Sequence, residues 1–328
     1  MWHAAAVRYI VYGAGAIGGV VGARLAENGH DVVLIARGGH GAAIRRDGLR
    51  IEAPAGSVVV RPAVVEHPGE LSFGADDMVL LAVKGQDSVA ALDALAGVAS
   101  VELPVACLQN GVDNERVALV RFRTVLGVSV MCPAGHLEPG VVRAYSSPIT
   151  GILDVGRYPS GTDATSEELA AAFRSSTFDA VARTDIMRWK WAKLLLNLGN
   201  AVEAVCGPPA RAGRIGDLVR EEGEAVLRAA RIDFASGEED RARRGTLLQV
   251  QPVEGQKRSG GSSWQSLERR TGSIETDHLN GEIVVLGRLH GVPVPVNERL
   301  QGLARQMAHD RAAPGRVSED EFLTSLSI

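Results

Sequence analysis

With Lys190, three further polar residues interrupt an otherwise apolar stretch of this 328-residue chain: Lys193, Asn197 and Asn200, within Trp189-Lys190-Trp191-Ala192-Lys193-Leu194-Leu195-Leu196-Asn197-Leu198-Gly199-Asn200. On a helix, at ~100° per residue, Asn197 lies ~40° from Lys193 and Asn200 about 20° to the other side, so the three project together. Leucines cover the other faces. A cation beside two amides suits a carbonyl compound, because the ammonium can protonate the oxygen or stabilise charge developing on it. The spacing fits equally a polar seam in which Lys193 snorkels to water. Lys190 is read as standing apart from this stripe.

A second set of residues suits phosphate. Gly13-Ala14-Gly15-Ala16-Ile17-Gly18 follows an apolar run and opens a helix, the context in which G-x-G-x-x-G binds a dinucleotide. Gly13 permits the tight turn, Gly15 lets the pyrophosphate approach the backbone, and Gly18 lets helix and strand pack closely. Ala16 and Ile17 begin the helix, whose first N–H groups and partial positive charge face the phosphates. The next strand ends Leu34-Ile35-Ala36-Arg37, without the carboxylate that would accept from a ribose 2′-hydroxyl. A guanidinium pairs with a 2′-phosphate, so Arg37 points to NADP(H). Lys84 and Asn110 each stand just after a further strand, at the edge where open parallel sheets bind ligands.

The elements that position these residues alternate in the first half of the chain. Residues 7–12, 31–36, 78–83 and 104–108 are short apolar runs that predict buried strands, with helices over 17–28 and 88–96. Such alternation implies a parallel sheet covered on both faces. Residues 125–130, 141–145 and 149–155 are β-like and divided by Pro and Gly, a strand-rich extension that completes the first domain. Helical patterns follow over 185–205, 217–231, 263–270, 275–289 and 296–310, with a loop over 251–261. The fold class is therefore α/β: an N-terminal Rossmann-type, doubly wound parallel sheet over 1–182 and a C-terminal all-helical domain over 183–328.

Composition narrows the function classes. Lys plus Arg total 35 and Asp plus Glu 39, a net charge of −4. That balance offers no global attraction to nucleic acid or to an anionic membrane. Cys107, Cys132 and Cys206 are isolated from one another and from His, so a metal site is not expected and free thiols in a reducing compartment are. No apolar stretch reaches the ~20 residues that cross a bilayer, and the opening MWHAAAVRYIVYGAG lacks the features of a secretory signal. A cytoplasmic protein acting on a small molecule is the expectation. A homodimer stays open, since apolar residues at an interface and in a core read alike.

Taken in order, residues 13–19, Ala82-Val83-Lys84, Gln109-Asn110-Gly111-Val112, residues 193–200 and Ser262-Ser263…Glu275-Thr276-Asp277…Asn280-Gly281 resemble the ketopantoate reductase family, from residue 7 to about 305. His290-Gly291-Val292-Pro293-Val294-Pro295-Val296-Asn297 also looks like that family's pattern. The resemblance implies NADPH-dependent reduction of 2-dehydropantoate to pantoate, with the active site between the two domains. It implies that Lys193 is the general acid and that Glu275 holds Lys193 or a substrate hydroxyl. Asn197, Asn200 and Ser263 would bind substrate, and Lys84 and Asn110 would flank the nicotinamide. The chain departs from the pattern at three places. Ala201 stands where the family's second asparagine follows the lysine by eight residues, Asn200 being one position early. Thr276 replaces an apolar residue, and Asp154 lies in a segment usually more apolar. Two alternatives remain: a reductase of another branched 2-keto acid, or an NADPH-sensing regulator without turnover. Lys193 and Glu275 argue against the regulator, which needs neither.

Overall fold

The computed structural model describes residues 7–136, 138–256, 258 and 260–326. Residues 1–6, which open the sequence read as lacking a signal, and residues 257 and 259 of the loop read over 251–261 lie outside the described residues.

The expected strand–helix alternation begins at once. β1 (Arg8–Tyr12) passes through Gly13 into α1 (Ala16–Glu27), and β2 (Asp31–Ile35) passes through Arg37 into α2 (Gly38–Asp47). Next come β3 (Leu49–Ala53), β4 (Gly56–Val60), β5 (Ala63–Val65) and β6 (Asp77–Leu81). α3 (Ser88–Ala96), β7 (Val105–Cys107), α4 (Asn114–Leu119) and β8 (Val125–Met131) continue the alternation. β9 (Ala134–Gly135), β10 (Val141–Ala144), β11 (Ser146–Pro148) and β12 (Gly151–Arg157) precede α5 (Ala164–Ser175) and β13 (Phe178–Asp179).

Among the described residues these strands form an eight-stranded sheet in the order β13-β12-β8-β7-β6-β1-β2-β5. It is parallel from β5 to β8, with β12 antiparallel to β8. Alternate residues of β1 enter different apolar clusters, Tyr9 and Val11 on one face, Ile10 and Tyr12 on the other. Both faces of the sheet are therefore buried, as the near-continuous apolar strands require. The sequence reading grouped 125–130, 141–145 and 149–155 as one extension. In the structure β8 and β12 widen the main sheet, whereas β10 joins β4-β3-β10-β9, a second sheet. The hairpin of β3 and β4 escapes the sequence reading because β4 is largely exposed and lacks a buried face to set a pattern.

The rest is helical. α6 (Ile186–Cys206) stops at Gly207, whose φ of +90° favours glycine, before α7 (Pro208–Arg211) and α8 (Arg214–Ala229). α9 (Gly237–Arg244), strand β14 (Leu248–Val250) and α10 (Ser262–Glu268) follow. The helix expected over 275–289 divides at Leu279 (φ −116°, ψ −87°) into a 3₁₀ turn, Glu275–His278, and α11 (Asn280–His290). α12 (Pro295–His309) and α13 (Glu319–Ser325) complete the chain.

Two compact units result. The first comprises residues 1–109, Asp113–Met187 and Glu238–Arg258; the second comprises Asn110–Val112, Arg188–Gly237 and residues 259–328. The single boundary expected after residue 182 is thus replaced by a discontinuous division. Its cause is local chemistry in the first unit. Asp154 in β12, 2% exposed, accepts from Arg183 Nε at 2.6 Å, from Arg243 Nε at 2.8 Å and from Arg243 Nη2 at 2.6 Å. Arg243 pairs with Asp179 as well, and β14 pairs antiparallel with β11. Segment 238–258 is fastened to the first unit by these contacts. With it removed, the described part of the second unit is helical throughout, apart from turns.

Candidate active site

The carboxyl ends of four strands are level. Tyr12 stands opposite both Ile35 and Leu81, and Leu81 opposite Cys107. The chain leaves β1 toward β2 on one side and β6 lies on the other, so this edge is a switch point of the sheet. Gly13, Arg37, Lys84 and the residues leading to Asn110 all emerge there.

The glycine turn fits a dinucleotide on its own geometry. Gly13 has φ +103°, and a Cβ there would meet Val83 N at 2.8 Å. A Cβ on Gly18 would stand 2.1 Å from Gly13 O. Both positions are closed to side chains. Gly15 is the reverse: nothing lies within 4 Å of where its Cβ would be. It is the N-cap of α1, which has no side-chain cap and no acid in its first turn, so Ala16 and Ile17 present their amides to that open space. The turn is braced by His40, unnoticed in the sequence. Its Nδ1 accepts from Gly140 N at 2.9 Å, which leaves Nε2–H to donate to Ala14 O at 2.7 Å. Arg37, the N-cap of α2, is exposed and forms no ion pair with the described residues.

Lys84 is half-buried at the start of a 3₁₀ turn, Gly85–Asp87. Beside it Gln109 Nε2 donates to Val83 O at 2.9 Å and to Ser88 Oγ at 2.7 Å, and Ser88 Oγ donates to Asn114 Oδ1 at 2.6 Å. This buried chain fixes the strand end from which Asn110 leaves. Gly111 follows with φ +86°.

In the second unit α6 carries the polar stripe. Lys193 is half-buried, and Asn197 and Asn200 are 4% and 6% exposed. Asn197 Nδ2 donates to Asn110 Oδ1 at 3.0 Å. Asn200 makes no side-chain hydrogen bond with the described residues, and the Oγ of Ser263, 2% exposed, is likewise buried without a partner. Leaving the buried Ser263 Oγ unpaired costs about 1–3 kcal/mol, a deficit that a polar ligand removes. Glu275 opens its 3₁₀ turn near Arg269, the residue that caps α10; burial pushes the Arg269 guanidinium down, and the negative charges of Glu268 and Glu275 oppose that shift. Lys190, read as standing apart, is only 3% exposed. Three residues before Lys193 is 300° around the helix, which is also 60° the other way, so Lys190 borders the stripe.

No group of His, Cys, Asp and Glu able to hold a metal occurs among the described residues. Cys107, Cys132 and Cys206 are free thiols, and burial pushes the Cys132 thiol up to about 12. Among the described residues no helix is long and apolar enough to cross a membrane.

The first unit carries a glycine turn open to a dinucleotide, and the second carries a lysine on the helix face it shares with Asn197 and Asn200. The family described as "Ketopantoate reductase PanE/ApbA" matches residues 9–159, and its C-terminal counterpart matches residues 185–308. The chain belongs to the ketopantoate reductase family. A 2-dehydropantoate 2-reductase of Halobacterium salinarum is 30% identical over 318 residues, covering 93% of this chain and all of that one. The crystal structure of a PanE/ApbA family ketopantoate reductase from Ralstonia eutropha JMP134 superposes with a TM-score of 0.76 at 30% identity, covering 92% of this chain and 99% of the other. D-mandelate dehydrogenase in ternary complex with NADH and anilino(oxo)acetate shares the fold, with a TM-score of 0.79 at 22% identity, over 92% of this chain and 99% of the other.

Proposed function

We propose that the protein reduces 2-dehydropantoate to pantoate with NADPH, in the cytoplasm. The observation that carries this reading is the pair of unpartnered polar groups, Asn200 and Ser263 Oγ, in the unit that holds Lys193. A 2-keto acid supplies oxygen atoms for both.

The cofactor fits the glycine turn, with Gly13, Gly15, Ala16, Ile17 and Gly18 receiving the pyrophosphate and Arg37 the 2′-phosphate. Lys84 and Asn110 border its nicotinamide end. When bound, the cofactor supplies the hydride that adds to the keto carbon. As the carbonyl π bond breaks, Lys193 gives a proton from Nζ to the oxygen and its cation stabilises the developing alkoxide. Solvent then returns the proton to Lys193. Glu275 orients the lysine or the substrate hydroxyl. Asn197 and Asn200 bind the substrate body, and Ser263 its carboxylate.

The test follows nicotinamide absorbance while the protein is offered NADPH and 2-dehydropantoate. Turnover with a 2-hydroxy acid as product is expected. Turnover only with a different branched 2-keto acid would move the assignment to that substrate. NADPH binding without turnover of any such acid would overturn the enzymatic reading.

A further inference from the structure

We propose that His40 is a positioning residue for the dinucleotide: by holding the Ala14 carbonyl it fixes the direction of the Gly15 amide that receives the pyrophosphate. The inference rests on the dinucleotide reading above and extends it to a residue outside the glycine turn.

The peptide that joins Ala14 to Gly15 is planar and trans, so its C=O and N–H point in opposite directions. The imidazole Nε2–H donates to Ala14 O at 2.7 Å. The Gly15 N–H is thereby aimed away from His40. Without that bond the peptide is easily turned, because one of the two torsions that flank it belongs to a glycine. Nothing packs within 4 Å of where a Gly15 Cβ would stand, so that side offers no support either. A turn that has to be ordered by its ligand binds it more weakly than one held ready.

The imidazole itself is held from three directions. Gly140 N donates to its Nδ1 at 2.9 Å, and Gly140 O in turn accepts from Arg50 N of β3 at 2.9 Å. Gly140 has φ +80°, and a Cβ there would come within 3.2 Å of Ala43 Cβ, one turn beyond His40 on α2. The ring of His136 lies against that of His40, with centroids 4.1 Å apart and planes inclined by 52°. The backbone of α2 is pressed against the end of β2, since a Cβ on Gly41 would stand 2.1 Å from Ala36 O.

Place in the fold separates this contact from an ordinary brace. His40 stands on α2 three residues after Arg37, the N-cap of that helix. Its ring therefore bridges the turn that follows β1 and the turn that follows β2, the two that the reading above assigns to the pyrophosphate and the 2′-phosphate. Room for the bridge comes from α1: a Cβ on Gly19 would stand 2.9 Å from Ala14 O.

Two variants separate the two bonds of the ring. His40→Asn carries an amide oxygen close to the place of Nδ1, so it keeps the Gly140 bond and does not reach Ala14 O. His40→Gln carries an amide nitrogen close to the place of Nε2, so it keeps the Ala14 bond and gives up Gly140. Dissociation constants for NADPH and NADH are measured by fluorescence titration at about pH 8, where an imidazole is neutral, with melting temperatures alongside. Both variants are expected to melt earlier than wild type. His40→Asn should bind both nucleotides at least about tenfold more weakly, and His40→Gln within about threefold of wild type. Unchanged affinity in His40→Asn would reduce His40 to a structural brace and overturn the inference. So would an equal loss in His40→Gln, or a loss confined to NADPH, which would trace to Arg37 instead. Should His40→Asn fail to fold, His40→Leu, which fills the space and makes neither bond, is compared with His40→Gln by the same measure. A wild type that binds neither nucleotide would overturn the dinucleotide reading itself, a result distinct from tight binding that ignores His40.

Discussion

Asn197 donates from Nδ2 to Asn110 Oδ1 at 3.0 Å, joining residues 87 apart in sequence. The bond sets which way round the Asn197 amide is held, so its Oδ1 is left to accept on the far side. Lys193, one turn earlier, stands on the same face of α6.

Replacing that lysine tests its role. Lys193→Ala is expected to lower kcat by about 10²–10⁴-fold, the usual contribution of a general acid, with NADPH affinity within about twofold of wild type. Single-turnover kinetics and fluorescence titration separate the two effects. Lys190→Ala has a different expected outcome: Lys190 is 3% exposed, so its loss lowers the melting temperature. A catalytic loss from Lys190→Ala larger than that from Lys193→Ala would move the acid by one turn.

The glycine turn makes opposite predictions at two positions three residues apart. Gly18→Ala drives a methyl into Gly13 O and is expected to destabilise the fold by several kcal/mol, seen as an early transition in urea. Gly15→Ala meets only open space, so the transition should stay where it is while dinucleotide affinity falls. Normal NADPH binding by Gly15→Ala would show that the phosphates lie elsewhere.

Cofactor choice turns on Arg37. Arg37→Asp should weaken NADPH by about ten- to a hundredfold, the worth of a charged hydrogen-bonded pair, and weaken NADH far less. Dissociation constants for both nucleotides, measured on wild type and variant, check this. Equal affinity of the wild-type protein for the two would remove Arg37 from the site.

Arg243→Ala leaves Asp154 buried with Arg183 as its remaining cation. Burial alone would raise the Asp154 carboxyl, but the Arg243 and Arg183 guanidiniums more than offset it and hold it below the usual carboxylate range. Removing one partner of such a buried pair costs about 3–5 kcal/mol. Equilibrium denaturation of the variant measures the loss, and Asp154→Asn in the same background should recover part of it.

Stability should also depend on His40. Burial holds its pKa below 6.5, and Nδ1 can accept from Gly140 only while unprotonated. At pH values above 6.5 the ring is neutral in folded and unfolded chains alike, so its hydrogen bonds contribute fully. As pH falls below 6.5 the unfolded chain binds the proton first, and stability declines until the lower folded value is passed. Melting temperature followed from about pH 7.5 to 5 should show this slope, reduced in His40→Gln. His30 is shifted in the same direction, so a residual slope in the variant is expected.

The parts of the molecule legible in the sequence are those with local signals. The glycine turn between strand and helix, Arg37 at a strand end and the polar stripe on α6 all declare themselves within twenty residues or fewer. The resemblance supplied Glu275 and Ser263, whose spacing alone carries no period. Asp154 looked out of place because its partners Arg183 and Arg243 are 29 and 89 residues away. His40 was overlooked because its two bonds go to backbone atoms, which every residue possesses.

Segment 238–258 makes the two compact units inseparable at the level of the gene. No single cut yields either one whole: a fragment ending at residue 187 lacks Arg243, one of the two arginines that pair with Asp154, and a fragment starting at 188 carries α9 and β14 without the strands they belong to. Expression of either half should therefore give poorly soluble material. Two halves supplied as separate polypeptides should recover the fold only when made together. To isolate the helical unit, residues 238–258 must be excised and their ends rejoined by a short linker, rather than the chain truncated.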